Sequence, residues 1–158
     1  MDYSIRLAME HDIEGLCKIR NNPNLFKKYF AQQESKNLYV AIAEQNRTIL
    51  GFGLLKLKGN LFPKLSDLYV HEEARGNGIG SALITFREKL AISLGYTEMY
   101  VSVDPIENPK MIKLITKLGY QSISDPYEKT AIYYNNDGSS YEKTYTRVDL
   151  KKLIDNRS

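Results

Sequence analysis

Cysteine is almost missing from this sequence. Cys17 stands alone, so no internal disulfide can form, and the fold must hold without a covalent staple, as suits a reducing cytoplasm. Histidine is nearly as scarce: His11, His71 and Cys17 are too scattered to supply the clustered ligands of a metal site, and none is expected. No apolar run approaches the roughly 18 residues of a membrane-crossing helix. The N-terminus lacks the basic and apolar regions of a signal peptide, so the expected location is cytoplasmic. Charge of one sign is lacking too: 22 Lys and Arg stand against 19 Asp and Glu, a net +3 spread along the chain. That balance argues for neither nucleic acid nor a membrane surface as partner, while it suits a polyanionic small molecule. With no repeat, linker or low-complexity segment, the 158 residues read as one domain, 1–158, long enough to bury a proper core.

What is present is concentrated in one stretch. Asp67-Leu68-Tyr69-Val70 ends a short apolar run, and Arg75-Gly76-Asn77-Gly78-Ile79-Gly80-Ser81 follows as a basic, glycine-punctuated turn. Ile79, Ala82, Leu83, Phe86 and Leu90 then recur at helical spacing, so the order is strand, tight loop, helix. Without Cβ atoms at Gly76, Gly78 and Gly80, the loop can present consecutive backbone N–H groups. The helix adds its own unsatisfied N–H donors and the positive end of its dipole, which makes the junction an anion cradle.

Around this stretch the pattern alternates strands and helices. Tyr3–Leu7 predicts a first strand. Asp12 is expected to cap a helix carrying Ile13, Leu16, Cys17 and Ile19, and Asn24 a second one carrying Leu25, Phe26, Tyr29 and Phe30. Leu38–Ala43, Thr48–Lys58 and Leu61–Val70 predict an antiparallel meander that delivers the loop at a strand end. Beyond the helix at about 79–94, Gly95 is a stop signal. Glu98–Val103 is expected to run parallel to the strand ending at Val70, because a helix connects them. Asn108 caps, and Pro109 opens, a helix through Met111, Ile112, Leu114, Ile115 and Leu118 that ends at Gly119. Tyr120–Ser124, Ala131–Tyr134 and Tyr141–Val148 predict closing strands around the turn Asn135-Asn136-Asp137-Gly138, with the last ten or so residues a short helix or tail.

Three motif readings compete for the loop. A nucleoside triphosphate P-loop requires Lys-Ser or Lys-Thr after its last glycine, which this chain lacks. A dinucleotide fingerprint requires G-x-G-x-x-G, whereas here the sixth position is Ser81; Asp104 could stand in for its ribose-binding acid, but the fingerprint belongs at the start of a βαβ unit rather than after a meander. A purely structural glycine turn is the bland alternative. Against these, Arg75-Gly-Asn-Gly-Ile-Gly80 matches the R/Q-x-x-G-x-G/A pattern of the GNAT superfamily of N-acetyltransferases. Asn108-Pro-Lys-Met-Ile-Lys-Leu-Ile-Thr-Lys-Leu-Gly-Tyr120 resembles that family's N-x-x-A-x-x-L-Y-x-x-x-G-F segment. The order of elements agrees over nearly the whole chain.

The resemblance implies an α/β (α+β) fold: a mixed, mostly antiparallel sheet of six to seven strands, about four helices and a splayed parallel strand pair. It implies acetyl-CoA as cosubstrate and a primary amine, on a small molecule or peptide, as acceptor, and it leaves room for a homodimer. The backbone N–H groups of Arg75, Gly76, Asn77, Gly78, Ile79, Gly80 and Ser81 would hold the pyrophosphate. The segment Leu68, Tyr69, Val70 would pair with the pantetheine arm, the Val70 N–H would receive the oxyanion, and Asn108 would contact the arm beyond it. Transfer would be direct, so Cys17 is read as a buried helix residue rather than a nucleophile.

Two departures from the family pattern stand out. Met111 replaces the usual alanine, and Ile115 stands where many members carry the tyrosine that protonates the leaving thiolate. Tyr120, Tyr133, Tyr134 and Tyr145 are the candidate substitutes. Without one, the chain would be a degenerate acyl-CoA-binding sensor or scaffold. Asp67 is the best-placed base, its side chain expected on the same strand face as Tyr69. His71 and Glu34 are alternatives, while Glu72 and Glu73 belong to the turn. The acceptor pocket would draw on Phe26, Tyr29, Phe30, Tyr133, Tyr134 and Tyr141, many of which would equally serve as core.

Overall fold

The computed structural model describes residues 2–135 and 137–154. Two compact units divide the chain, Met1–Met99 with Leu153–Ser158 and Tyr100–Lys152.

The first unit is built on a meander. Strands β1 (Ser4–Leu7), β2 (Leu38–Gln45), β3 (Thr48–Lys56) and β4 (Lys64–Val70) pair antiparallel in chain order. Asn46 and Arg47, with φ of 49° and 67°, form the two-residue tip between β2 and β3, the left-handed geometry whose twist matches a hairpin. Side-chain alternation along β2 sorts the core into two faces. Leu38, Val40 and Ile42 join Phe52 and Leu54 of β3 against Leu16 of α1 (Ile13–Cys17) and Phe26 and Phe30 of α2 (Pro23–Glu34). Ala41 and Ala43 join Leu50 against Ile79 and Leu83 of α3 (Ile79–Ser93). On the first face Phe26 meets Phe52 edge to face at 5.3 Å; each such ring contributes about 2–3 kcal/mol by burial.

The local structure departs from the sequence expectation at several points. The first helix is only Ile13–Cys17, preceded by a 3-10 turn at Glu10–Asp12, and Asp12 makes no capping bond to it. Its carboxylate instead accepts the Met9 N–H at 2.8 Å and both Arg6 Nη groups at 2.9 Å, a charged partner outcompeting a helix end. Asn22, not Asn24, caps α2: its side chain accepts the Leu25 N–H, and Pro23 takes the first helical position. β4 begins at Lys64 rather than Leu61, since Pro63 has no N–H to give a ladder.

In the second unit, β5 (Glu98–Val103) enters from the first and is followed by α4 (Pro109–Lys117), β6 (Gln121–Ser122), β7 (Tyr127–Tyr134) and β8 (Ser140–Leu153). Asn108 and Pro109 start α4 as expected, with the Asn108 side chain accepting the Met111 N–H. β7 and β8 form a long antiparallel hairpin in which Tyr133 faces Tyr141 and Tyr127 faces Arg147. β7 therefore starts four residues before the expected Ala131. β8 runs through Leu153, so the expected short helix or tail is strand over 149–153. Alternating Val148 and Leu150 are buried, and Leu150 and Lys151 pair with β6, which supplies the burial and ladder a free tail lacks. Residues 155–158 of that tail, and Asn136 of the predicted turn, lie outside the described residues. The described residues hold eight strands and four α-helices, the eight strands read along the sequence and one more than the six to seven that the family resemblance implied.

Candidate active site

The glycine-rich loop at residues 75–78 is anchored at both ends. Ala74, just before it, and Ile79, at the start of α3, are both buried in the core with Leu50 and Leu83. Between them, Gly76 and Gly78 take φ of 83° and 75°, a region costly for side-chain-bearing residues. A Cβ at Gly76 would meet nothing within 4 Å, and one at Gly78 only the Tyr3 hydroxyl at 3.9 Å. These glycines therefore serve conformation rather than space, whereas Gly80 is ordinary helix. Asn77 Nδ2 donates to the Ala74 and Arg75 carbonyls at 3.0 and 3.4 Å, and Arg75 Nε donates to the Val70 carbonyl at 3.2 Å. The loop is thereby braced to itself and to the end of β4.

Among the described residues no side chain caps α3. The first ladder bond runs from the Ala82 N–H to the Gly78 carbonyl at 3.0 Å, so the N–H groups of Ile79, Gly80 and Ser81 have no partner within the helix. Together with the positive helix end, they form a donor set suited to phosphate oxygens.

β4 contributes a second row of donors. The His71 N–H bonds to the Leu50 carbonyl at 2.7 Å, which makes His71 and Leu50 a hydrogen-bonded pair. By antiparallel alternation, Val70 opposite Gly51 and Leu68 opposite Gly53 are non-bonded pairs. The backbone N–H and C=O groups of Leu68 and Val70 therefore point away from β3, while Tyr69 directs its own toward Phe52. The outward Val70 carbonyl is the one that Arg75 holds.

Between Gly53 and Leu54 the register jumps: Gly53 faces Leu68 and Leu54 faces Ser66. Asp67 is the extra residue of a bulge, with φ of 43°. Arg87 of α3 props this bulge from inside. The guanidinium is 1% exposed, and it donates to the carbonyls of Leu83, Leu54 and Ser66 at 3.1, 2.8 and 3.2 Å, with that of Asp67 at 3.5 Å.

On the opposite side of the sheet, the Asp67 carboxylate receives the Tyr29 hydroxyl at 3.2 Å and Arg20 Nη1 at 3.4 Å, both on Oδ2. Arg20 also lies over the Tyr69 ring at 5.4 Å, and Tyr69 stacks on Phe52 at 5.2 Å. Asp67 and Tyr69 thus reach one face, as expected, but a bulge rather than regular alternation brings them there. Burial, reinforced by the Asp67 charge, pushes the Tyr29 phenol well above its ordinary range, so it remains a proton donor to the carboxylate.

The other candidates separate clearly. His71 accepts the Glu73 N–H at Nδ1, and Glu72 and Glu73 lie in a 3-10 turn. In the second unit the Asp104 carboxylate accepts the N–H groups of Glu107 and Ile106 at 2.9 Å, and these bonds hold it below the ordinary carboxylate range. It is occupied in shaping its own loop. Ile115 is fully buried, and Tyr120 is 1% exposed beneath Lys152. Tyr133 stacks on Tyr141 at 5.5 Å and meets Tyr145 edge to face at 5.7 Å, while Tyr134 is solvent-exposed. Phe26 and Phe30, expected as pocket walls, are core residues instead, because the α2 face that carries them packs on Phe52 and Leu54. Among the described residues no three His, Cys, Asp or Glu side chains gather as a metal ion would require, and no helix is long and apolar enough to cross a membrane.

Sequence reasoning missed Arg20 and Arg87. Arg87 had a signal: it lies four residues after buried Leu83, a charge on the apolar stripe of α3. Arg20, just past a short helix, had none.

Comparison with known proteins agrees with this geometry. The model of the acetyltransferase (GNAT) family matches residues 7–120. The structure resembles the YncA protein of Salmonella typhimurium, solved with its cofactor acetyl-CoA, at 15% identity and a TM-score of 0.75, covering 100% of this chain and 97% of that one. A GNAT superfamily phosphinothricin acetyltransferase from Sinorhizobium meliloti, in complex with acetyl-CoA, matches at 18% identity and 0.73, covering 98% and 90%. The PaiA N-acetyltransferase of Thermoplasma acidophilum, in complex with coenzyme A, matches at 17% and 0.72, covering 97% and 99%. No curated protein matches by sequence. The fold is α+β with the mixed, mostly antiparallel sheet and four helices of these relatives, and the chain belongs to the GNAT family of acetyltransferases.

Proposed function

We propose that this protein is an N-acetyltransferase that moves an acetyl group from acetyl-CoA to a primary amine within a ternary complex. The observation that carries the reading is the uncapped set of N–H groups at 79–81 at the start of α3, which follows directly on a strand whose Leu68 and Val70 backbone groups face away from β3. In this reading residues Arg75–Ser81 bind the pyrophosphate, and Leu68–Val70 pair with the pantetheine arm. Asn108 is a further contact to the arm, carried by the resemblance of its motif. A cytoplasmic location belongs to the same reading.

The chemistry needs little from side chains. Asp67 takes one proton from the acceptor ammonium, directly or through water. The neutral nitrogen attacks the thioester carbonyl, whose oxygen gains negative charge and accepts the Val70 N–H. As the C–N bond forms and the C–S bond breaks, coenzyme A leaves with the electron pair, and the second amine proton ends on its sulfur. A positioned general acid is dispensable because a thiolate is a tolerable leaving group near neutral pH. Calorimetric titration should give saturable acetyl-CoA binding, and an amine screen should give acetyl-CoA-dependent thiol release. A folded protein that does not bind acetyl-CoA would refute the reading.

A second reading is favoured by one observation, the fully buried Ile115 at the position of the family's tyrosine acid. A non-catalytic acyl-CoA sensor would bind acetyl-CoA yet release no thiol with any amine.

A further inference from the structure

Among the described residues stand two Arg–Asp pairs of opposite character. Arg6 meets Asp12 bidentately, both Nη groups at 2.9 Å, and its Nε bonds Glu44 at 2.7 Å. The guanidinium and both carboxylates are saturated. Arg20 and Asp67 share a single contact at 3.4 Å. Asp67 Oδ1 accepts no hydrogen bond among the described residues, and Arg20 Nε and Nη2 donate none. Both side chains are about one-third exposed, and both are held in place. The Tyr29 hydroxyl and the bulge fix the carboxylate, while the Tyr69 ring, itself stacked on Phe52, supports the guanidinium.

A fixed anion and a fixed cation a few ångströms apart, each with open hydrogen-bonding capacity, match a ligand with the reverse arrangement. We propose that Arg20 and Asp67 form the acceptor subsite and select an α-amino acid, its ammonium on Asp67 and its carboxylate on Arg20. This deepens the acetyltransferase reading and rests on it. The planar guanidinium has two parallel N–H groups for a carboxylate, the geometry in which arginine exceeds lysine. The ammonium end places the nucleophile against the group that deprotonates it. The exposed edge of Tyr69 is the wall beside it. An amine with no carboxylate leaves Arg20 unanswered, so selectivity comes from a polar group left without its partner.

The test uses L-leucine, L-phenylalanine and L-glutamate, each beside its α-amide, in two assays: thiol release from acetyl-CoA, and calorimetric binding to the protein with coenzyme A present. The expected result is that at least one acid exceeds its amide by about 10- to 100-fold in kcat/KM, the range of a charged hydrogen bond. In Arg20→Gln that ratio falls close to one. Arg20→Lys restores part of it, and unchanged melting temperatures exclude a folding defect. The proposal is overturned if the amides serve as well as the acids, or if Arg20→Gln keeps the ratio. It is also overturned if no acid binds or reacts; thiol release with a simple amine such as phenethylamine would then leave the acetyltransferase reading standing. Arg20-dependent binding of an acid with no thiol release for any amine supports the subsite and removes the acetyltransferase reading instead.

Discussion

Gly53 of β3 lies directly under the guanidinium of Arg87: a Cβ at Gly53 would stand 2.6 Å from Arg87 Cζ and 2.8 Å from both terminal nitrogens. That guanidinium is fixed by the carbonyls of Leu54 and Ser66, so it cannot swing aside as a surface arginine would. Gly53→Ala should therefore destabilise the protein by about 1–3 kcal/mol through overpacking. Arg87→Met, which fills the volume but strands the buried carbonyls, should cost about 2–4 kcal/mol. Urea unfolding midpoints measure both. If Arg87→Met unfolds like the parent, the bulge does not depend on this prop.

The bulge matters because it aims Asp67. At φ of 43° a side-chain-bearing residue is strained, and aspartate is among the few tolerated there. Asp67→Asn keeps the shape and removes the basic oxygen. In the proposed mechanism it should lower kcat/KM by about 100-fold, within the span of general-base catalysis, while acetyl-CoA affinity stays within about twofold. Steady-state kinetics beside a calorimetric titration separate the two effects. An unaffected kcat/KM would make Asp67 a positioning residue only.

How much of this could be read beforehand follows the range of the interaction concerned. Local chemistry was legible: the Asn108-Pro109 start of α4 and the bounds of β5 depend on neighbouring residues, whereas the glycines at 76 and 78, read as clearing space for N–H groups, turn out to serve the backbone conformation. What failed depended on a partner distant in sequence. Asp12 has the chemistry of a helix cap, but its carboxylate accepts from Arg6, which β1 holds in place with Glu44 as its second acceptor. The strand over 149–153 exists because β6 pairs with it. The Asp67 bulge is recorded only in the register of β3 against β4, and in the buried arginine that α3 presents to it. The strand, loop and helix around residues 75–81 were legible because that motif is contiguous. Asp67 and Tyr29 were each named beforehand, but their meeting with Arg20 was not, because the cluster is assembled from three segments.

The Arg6 network predicts a pH dependence. Burial alone would raise the Asp12 carboxyl, but the hydrogen bonds and charge of Arg6 more than offset it and hold the group below its ordinary value; Arg6 lowers Glu44 as well. A depressed carboxyl stabilises the fold above its unfolded-state value, near 4, and that stability is lost as pH falls through the folded value. Asp12→Asn should therefore be less stable than the parent by about 1–2 kcal/mol at pH 7, with the gap closing as pH drops below about 4. Thermal unfolding from pH 7 to pH 2 checks it; a gap that is constant with pH would assign the loss to packing.

Gly78 offers the cleanest test of the anion loop, because shape and charge can be separated there. With φ of 75° and nothing nearer a Cβ than 3.9 Å, only backbone strain opposes a side chain. Asparagine tolerates the left-handed region better than most residues, so Gly78→Asn should fold with a loss of about 1 kcal/mol. Gly78→Asp is nearly the same shape and adds one negative charge beside the N–H groups of 79–81. If those groups hold the pyrophosphate, the aspartate variant should bind acetyl-CoA at least about tenfold more weakly than the asparagine variant, since like charges would meet at the helix end. The aspartate variant should also be the more thermostable of the two without cofactor, because a carboxylate there complements the helix dipole. Opposite movements of stability and affinity would separate an anion site from a purely structural turn, in which both would move together.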